Sequence, residues 1–380
     1  MPLYGRTHRR LVVKVGTSSL TDDAGRLEPR AFQGIAAGAL TLAAAAGAPG
    51  RPADVVVVSS GAGAAGRERL NVKLPLTLPQ KQAAAAVGQA LLMNAWAAAW
   101  APRPVAQLLL SAYDVQTRRR YVNAKNALEA TLALGAVPVI NENDSVATSE
   151  LKVGDNDTLS AWVAYLVGAE LLVILTDVDG LYEADPRVTP SARRLSVVSD
   201  VGSVRHAAGG AGSAGGTGGM GTKLAAARIA ADAGIETVVL GGGGAGLEAL
   251  ARSGDVGTRF LAGAGVPARK AWILNQPVAG TLLVDEGARD AVLAGRSLLP
   301  KGIVGVDGEF AFGDAVSMRC GGEEFAVGLT NYSAGDLRRV AGRHTREVPA
   351  LLGAHHYEEA VHRDNLVLGR AHAGGTIVSP

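Results

Sequence analysis

The sequence predicts an α/β protein: a three-layer domain on a mainly parallel sheet, followed by a smaller β-rich unit. Three observations carry that prediction. Short Val-, Leu- and Ile-rich runs recur without in-and-out alternation, each separated from the next by a longer, often alanine-rich segment. That is the pattern of strands covered by helices on both faces. Most of these runs lead into a loop of small and polar residues. After Val266-Pro267 the texture changes to short alternating strands with tight Gly/Asp turns.

Taken in order, strands are expected at Leu11–Val15, Val55–Val58, Val105–Leu110, Val137–Ile140, Leu171–Leu175 and Thr237–Leu240. Helical patterns lie between them at Pro29–Ala46, Gln80–Ala101, Tyr121–Leu134, Thr158–Val167 and Thr222–Ala233. The most apolar long stretch, Ala83 to Ala101, is mostly alanine and is broken by Gly88, Gln89 and Asn94. It reads as a packed helix rather than a membrane span, which needs about 20 strongly apolar residues. The first domain is placed at residues 8–265. A second, α+β or barrel-like, is placed at 277–365, with one short helix read within residues 282–320, and residues 371–380 are expected to be disordered.

Composition narrows the function classes. The 380 residues carry a net charge of only +2, which gives no field to hold a polyanion non-specifically. A single cysteine, Cys320, excludes internal disulfides and Cys-cluster zinc sites. The N-terminal apolar run is five residues long and interrupted by Lys14, too short for a signal-peptide core, so a cytoplasmic location without membrane attachment is expected. Glycine is the anomaly: 50 residues, nearly twice the usual share of ~7%.

In an open parallel sheet, ligands bind beyond the carboxyl ends of the strands. The loops there read Gly16-Thr17-Ser18-Ser19, Ser59-Ser60-Gly61-Ala62-Gly63, Asn141-Glu142-Asn143-Asp144 with Gly154-Asp155-Asn156-Asp157, and Thr176-Asp177-Val178-Asp179-Gly180. The richest glycine segment, Gly209–Gly221, runs into Thr222-Lys223 and a helix. Glycines let backbone N–H groups turn toward one anion, and the helix N-terminus and lysine add positive charge. The order Gly-Thr-Lys departs from the Gly-Lys-Ser/Thr of a Walker loop. Lys14 lies inside an otherwise buried strand, a costly place unless its ammonium meets an anion. Among the carboxylates, Asp157 reads equally as a helix cap, and Asp179-Gly180 as a hairpin turn.

The motifs VVKVGTSSL, VSSGAGAAG, QAAAAVGQ, YVNAKNALEA, PVINENDSVAT, VGDNDTLSA, LLVILTDVDGLYEADPR and GTGGMGTKLAAARIA together resemble the amino acid kinase family, along nearly the whole chain. The segment SLLPKGIVGVDGEFAFGDAV resembles a PUA domain. The resemblance implies an amino acid kinase-like αβα domain with a C-terminal PUA-like one. It also implies ATP-dependent phosphorylation of the γ-carboxylate of free glutamate, with Mg²⁺, as the first step of proline biosynthesis. Lys14, Lys223 and Asp157 would be catalytic, the lysines stabilising the transferring phosphoryl group and Asp157 organising them. Ser60, Asp144 and Asn156 would bind glutamate. Lys14, Thr176, Asp177, Thr217, Gly218, Gly219, Met220, Gly221, Thr222 and Lys223 would bind ATP.

Feedback inhibition by proline, a homo-oligomer and hand-off of the acyl phosphate to glutamyl-phosphate reductase are implied in the same way. Two features depart from the family pattern: the glycine- and alanine-rich loop ahead of TGGMGTK, and Gly63, where a larger residue is expected. Aspartate, carbamate or a nucleoside monophosphate are the competing acceptors, and the NEND…GDND pair favours glutamate. RNA binding by the PUA-like unit is not expected to be its primary role, because acids oppose Lys301, Arg319, Arg338, Arg339, Arg343 and Arg346.

Overall fold

A computed structural model describes residues 3–22, 24–111, 114–115, 117–146, 155–184, 188–189, 191–208, 219–263, 273, 276–353 and 357–368. Thr217, Gly218, the Gly209–Gly216 loop and the tail 371–380 lie outside the described residues. The chain divides into two compact units, Met1–Gly265 and Val266–Pro380.

The first unit holds an eight-stranded sheet in the order β3-β4-β2-β1-β5-β7-β8-β6. Its strands are β1 (Arg10–Val15), β2 (Asp54–Ser59), β3 (Val105–Leu110), β4 (Val137–Glu142), β5 (Leu171–Leu175), β6 (Val197–Val198), β7 (Glu236–Leu240) and β8 (Thr258–Phe260). Every pairing is parallel except β7 with β8. The mainly parallel sheet is thus found, and it gains β6 and β8, two short strands with no apolar run to announce them.

Helices cover the sheet: α1 (Pro29–Ala46), α2 (Ala62–Arg69), α3 (Leu78–Trp100), α4 (Arg118–Ala133), α5 (Asn156–Leu166), α6 (Met220–Asp232) and α7 (Gly243–Ser253). Side chains alternate along a strand, and β1 shows the consequence. Leu11, Val13 and Val15 enter one core cluster with Phe32 of α1, Leu92 and Trp96 of α3, and Leu247 of α7. Lys14, of opposite parity, meets Asp157 on α5 instead. One face of the sheet is therefore apolar while the other brings Lys14 to the site.

Two helices are absent from the sequence reading, α2 and α7, and in both the glycines conceal a helix. A Cβ on Gly66 of α2 would fall 1.7 Å from the Ala84 carbonyl oxygen, and one on Gly88 of α3 would fall 1.8 Å from that of Ala62. Glycine lets α2 and α3 touch backbone to backbone. The same holds where α1 meets α7, since a Cβ on Gly244 would lie 2.1 Å from the Gly34 carbonyl oxygen. Residues Asp177 to Gly180 form a bend rather than the expected hairpin turn, because β5 pairs in parallel with both its neighbours. Among the described residues no helix is long and apolar enough to cross a membrane.

The second unit is a five-stranded sheet in the order β10-β9-β11-β12-β13. The strands are β9 (Val278–Val284), β10 (Ile303–Gly308), β11 (Ala315–Cys320), β12 (Glu323–Thr330) and β13 (Val361–Leu368). It carries α8 (Glu286–Leu293), the one short helix expected within residues 282–320, and beyond that segment α9 (Ala334–Val340) and α10 (Val348–Leu352). Its core gathers Leu282, Met318, Phe325, Leu337 and Val361. β12 does not alternate as expected: its last six residues are all buried.

Candidate active site

The site forms where the carboxyl ends of β1, β2 and β4 meet the N-termini of α5 and α6. Asp155 caps α5 by accepting a 2.7 Å hydrogen bond from the Thr158 amide. Asp157, which the sequence also allowed as a cap, sits inside the first turn of α5 and is 1% exposed. Its carboxylate takes the Lys14 ammonium at 2.6 Å on Oδ1, and the Lys223 ammonium at 3.2 Å and the Thr222 hydroxyl at 2.7 Å on Oδ2. Lys14 and Lys223 are each only 6% exposed.

Two buried ammonium groups thus share one carboxylate in direct contact, a positive excess at that contact, with Asp155 the next anion to act on Lys14. Burial lowers the Lys14 pKa, a shift that Asp157 opposes and Lys223 reinforces. Burial raises that of Asp157, but the two lysines overcome it and hold the carboxyl below its usual range. The Asp155 carboxyl is shifted upward, first by burial and then by the Asp157 charge. Gly16 follows Lys14 closely, and a Cβ there would stand 3.7 Å from the Lys14 Nζ.

Backbone donors surround this excess charge. Gly219 precedes α6 and no side chain caps that helix among the described residues. Its carbonyl accepts from the Thr222 hydroxyl at 2.7 Å. Met220 and Gly221 complete the first turn, whose N–H groups and dipole favour an anion. The 17–19 turn after Gly16 likewise has no side-chain cap. Thr176 and Asp177 stand at the carboxyl end of β5 and hydrogen-bond each other at 3.0 Å.

A cavity of about 240 Å³ opens on the neighbouring loops and is lined by Ser60, Lys81, Asp144, Asp155 and Asn156. Gly63 borders it too, and a Cβ there would meet nothing within 4 Å. The Asn156 amide is oriented by its surroundings: its Nδ2 donates to Ser60 Oγ at 2.8 Å and to Asn141 Oδ1 at 3.0 Å. Its Oδ1 is left buried and without a hydrogen-bond partner, which suits a donor brought by a ligand.

The structure therefore brings Lys14, Asp157, Thr222 and Lys223 together, and separately Ser60, Asp144 and Asn156. Sequence reasoning missed the amides behind Asn156. Asn141 donates to Gln89 Oε1 at 2.9 Å, and Gln89 donates to Gln107 Oε1 at 3.0 Å. These residues line an adjoining cavity of about 300 Å³. Gln89 stood out only as a polar break in an alanine-rich helix.

Comparison with known proteins matches residues 9–241 to the amino acid kinase family and residues 280–352 to the PUA domain. Glutamate 5-kinase of Myxococcus xanthus is 48% identical over 372 residues, covering 96% of this chain and 97% of that one. The enzyme of the same name from Thermus thermophilus is 48% identical, with coverages of 96% and 98%. That of Citrifermentans bemidjiense is 45% identical, with coverages of 95% and 97%. The chain belongs to the amino acid kinase family, in the group of its PUA-bearing glutamate 5-kinases.

Proposed function

We propose that this protein transfers the γ-phosphoryl group of MgATP to the γ-carboxylate of L-glutamate, giving L-glutamyl 5-phosphate in the first step of proline biosynthesis. The observation that carries the reading is the pair of buried lysines on the single carboxylate of Asp157. A positive charge in excess, withdrawn from water, is a place for phosphate oxygens. The acceptor has a reference pKa near 4.3 and is already an anion at pH 7, so no general base is required. What remains is to bring two anions together. Lys14 and Lys223 would neutralise the phosphoryl group in flight, while Asp157 holds their ammonium groups apart and aligned.

The uncapped first turn of α6, with Thr217 and Gly218 ahead of it, would receive the nucleotide together with Thr176 and Asp177. Ser60, Asp144 and Asn156 would hold glutamate. The side chains at the cluster, Lys14 and Lys223, are cationic and suit phosphate oxygens. Magnesium would therefore arrive with the nucleotide and supply further charge neutralisation on the phosphates. By the same family reading the enzyme is cytoplasmic, oligomeric and inhibited by proline, and delivers its labile product to glutamyl-phosphate reductase. The PUA domain serves packing or regulation before RNA binding.

The decisive assay is ADP release and hydroxamate formation with glutamate or aspartate as acceptor, repeated with proline added. Turnover confined to glutamate supports the reading. Turnover with aspartate alone, or with neither acid, sinks it.

A further inference from the structure

The cavity beside Asn156 has a charge pattern that the amide network does not explain. Asp144, Asp155 and Glu142 line it together with Asn156, whose buried Oδ1 has no hydrogen-bond partner. All four are hydrogen-bond acceptors or anions, fit for an ammonium group. Among the described lining residues one cation stands beside them, Lys81. Glutamate, however, brings two carboxylates and one ammonium. Its γ-carboxylate must face the phosphoryl group that Lys14 and Lys223 neutralise, which leaves the α-carboxylate in a pocket rich in acids.

Lys81 is placed to meet that carboxylate. On α3, Leu78, Lys81, Gln82 and Ala85 share one helix face at spacings of three and four residues, and all four line the cavity. Lys81 sits in the second turn, near the helix end whose dipole favours anions. It is exposed, and no ion-pair partner for its ammonium exists among the described residues. Accepting that free glutamate is the substrate, we infer that Lys81 binds its α-carboxylate. The acidic wall and Asn156 Oδ1 take the α-ammonium, so that the cavity selects for the amino-acid head as a zwitterion.

The test compares wild type, Lys81→Met and Lys81→Arg, each with L-glutamate and with 4-aminobutanoate, which keeps the reacting carboxylate and the ammonium but lacks the α-carboxylate. ADP release is followed at saturating MgATP. Where turnover of 4-aminobutanoate is too slow to measure, its inhibition constant against glutamate is read instead. In Lys81→Met, kcat/KM for glutamate should fall by roughly 10-fold or more, mostly through KM, as for loss of a charge-assisted hydrogen bond. The figure for 4-aminobutanoate should stay within about two-fold, so the preference for glutamate narrows, and Lys81→Arg should restore much of it. An unchanged preference in a variant whose melting matches wild type overturns the assignment while leaving the proposed reaction intact. An equal loss with both acceptors overturns it too. Wild type that releases no ADP with glutamate removes the proposed reaction and this inference together.

Discussion

The two edges of the kinase sheet both concentrate charge, and they do so in opposite ways. At the amino edge the charges close on one another. Arg10 reaches Glu129 at 2.6 Å and Asp54 at 3.4 Å, and the Glu170 carboxylate accepts the amides of Arg9 and Arg10 at 3.0 Å. Buried Glu236 takes Arg6 at 2.5 Å and Arg259 at 2.8 Å, and that Arg259 guanidinium lies 3.7 Å from the Tyr4 ring centre. At the carboxyl edge two lysines must share Asp157, and Asn156 Oδ1 has no partner. A folded chain that only needed stability would pair these groups or replace them with apolar ones. Two arginines also share Glu236, but they reach water and hold the edge together, whereas the lysine pair on Asp157 is buried and left to hold a substrate.

That contrast can be broken from either side. The largest effect is expected for Lys223→Ala or Lys14→Ala: kcat for ADP release should drop about 10³-fold, as for a lost charge stabiliser, with melting temperature nearly unchanged. A drop of only a few-fold would mean that the excess charge is not catalytic. Asp157→Asn comes next. It leaves two ammonium groups facing each other under burial, so kcat should fall about 10²-fold and stability by roughly 3 kcal/mol, read from denaturant melts.

Glu236→Gln is the counterpart at the amino edge. Because Arg6 is 44% exposed, the cost should be only about 1–2 kcal/mol of stability, with kcat and KM as in wild type. A change in kinetics there would erase the division between the edges. The smallest effect concerns His8, buried at the same edge with both ring nitrogens unpartnered. Burial, and then the Arg6 charge, lower its pKa in the folded state. As pH falls below about 6.5, the unfolded chain takes up a proton that the folded chain refuses, so stability declines by at most ~1.4 kcal/mol per pH unit until the lowered pKa is passed. Thermal melts between about pH 7.5 and 5.5 should show a smaller decline for His8→Leu than for wild type.

What could be read in advance follows from how local the causes are. α1 spans Pro29–Ala46 as expected, since a proline opens it and Gly47 follows it, both visible in the chain. Lys14 announced itself because a lysine amid valines has no local reason to be there. α2 and α7 were hidden because their glycines answer to a partner helix rather than to their own backbone. The hydrogen bond from Asn141 to Gln89 joins residues 52 positions apart, a proximity that neither segment encodes by itself. The cap falls at Asp155, two residues ahead of Asp157, because the chain is extended at Asp155 and already helical from Asn156, a boundary that residue types alone do not specify.

The backbone contact between α2 and α3 bears on how this enzyme would yield to redesign. Ser60 stands just ahead of α2 and Lys81 lies on α3, so the crossing at Gly66 and Gly88 ties opposing walls of the acceptor cavity into one block. Sliding the helices apart to admit a bulkier acid would forfeit that contact along its length. Room for a new acceptor would have to be carved from side chains already small, Ala85 and Ser60, or taken at Gly63, where the space is open. Variants selected for longer or branched acceptors should therefore carry changes at those positions and leave the glycine crossing untouched.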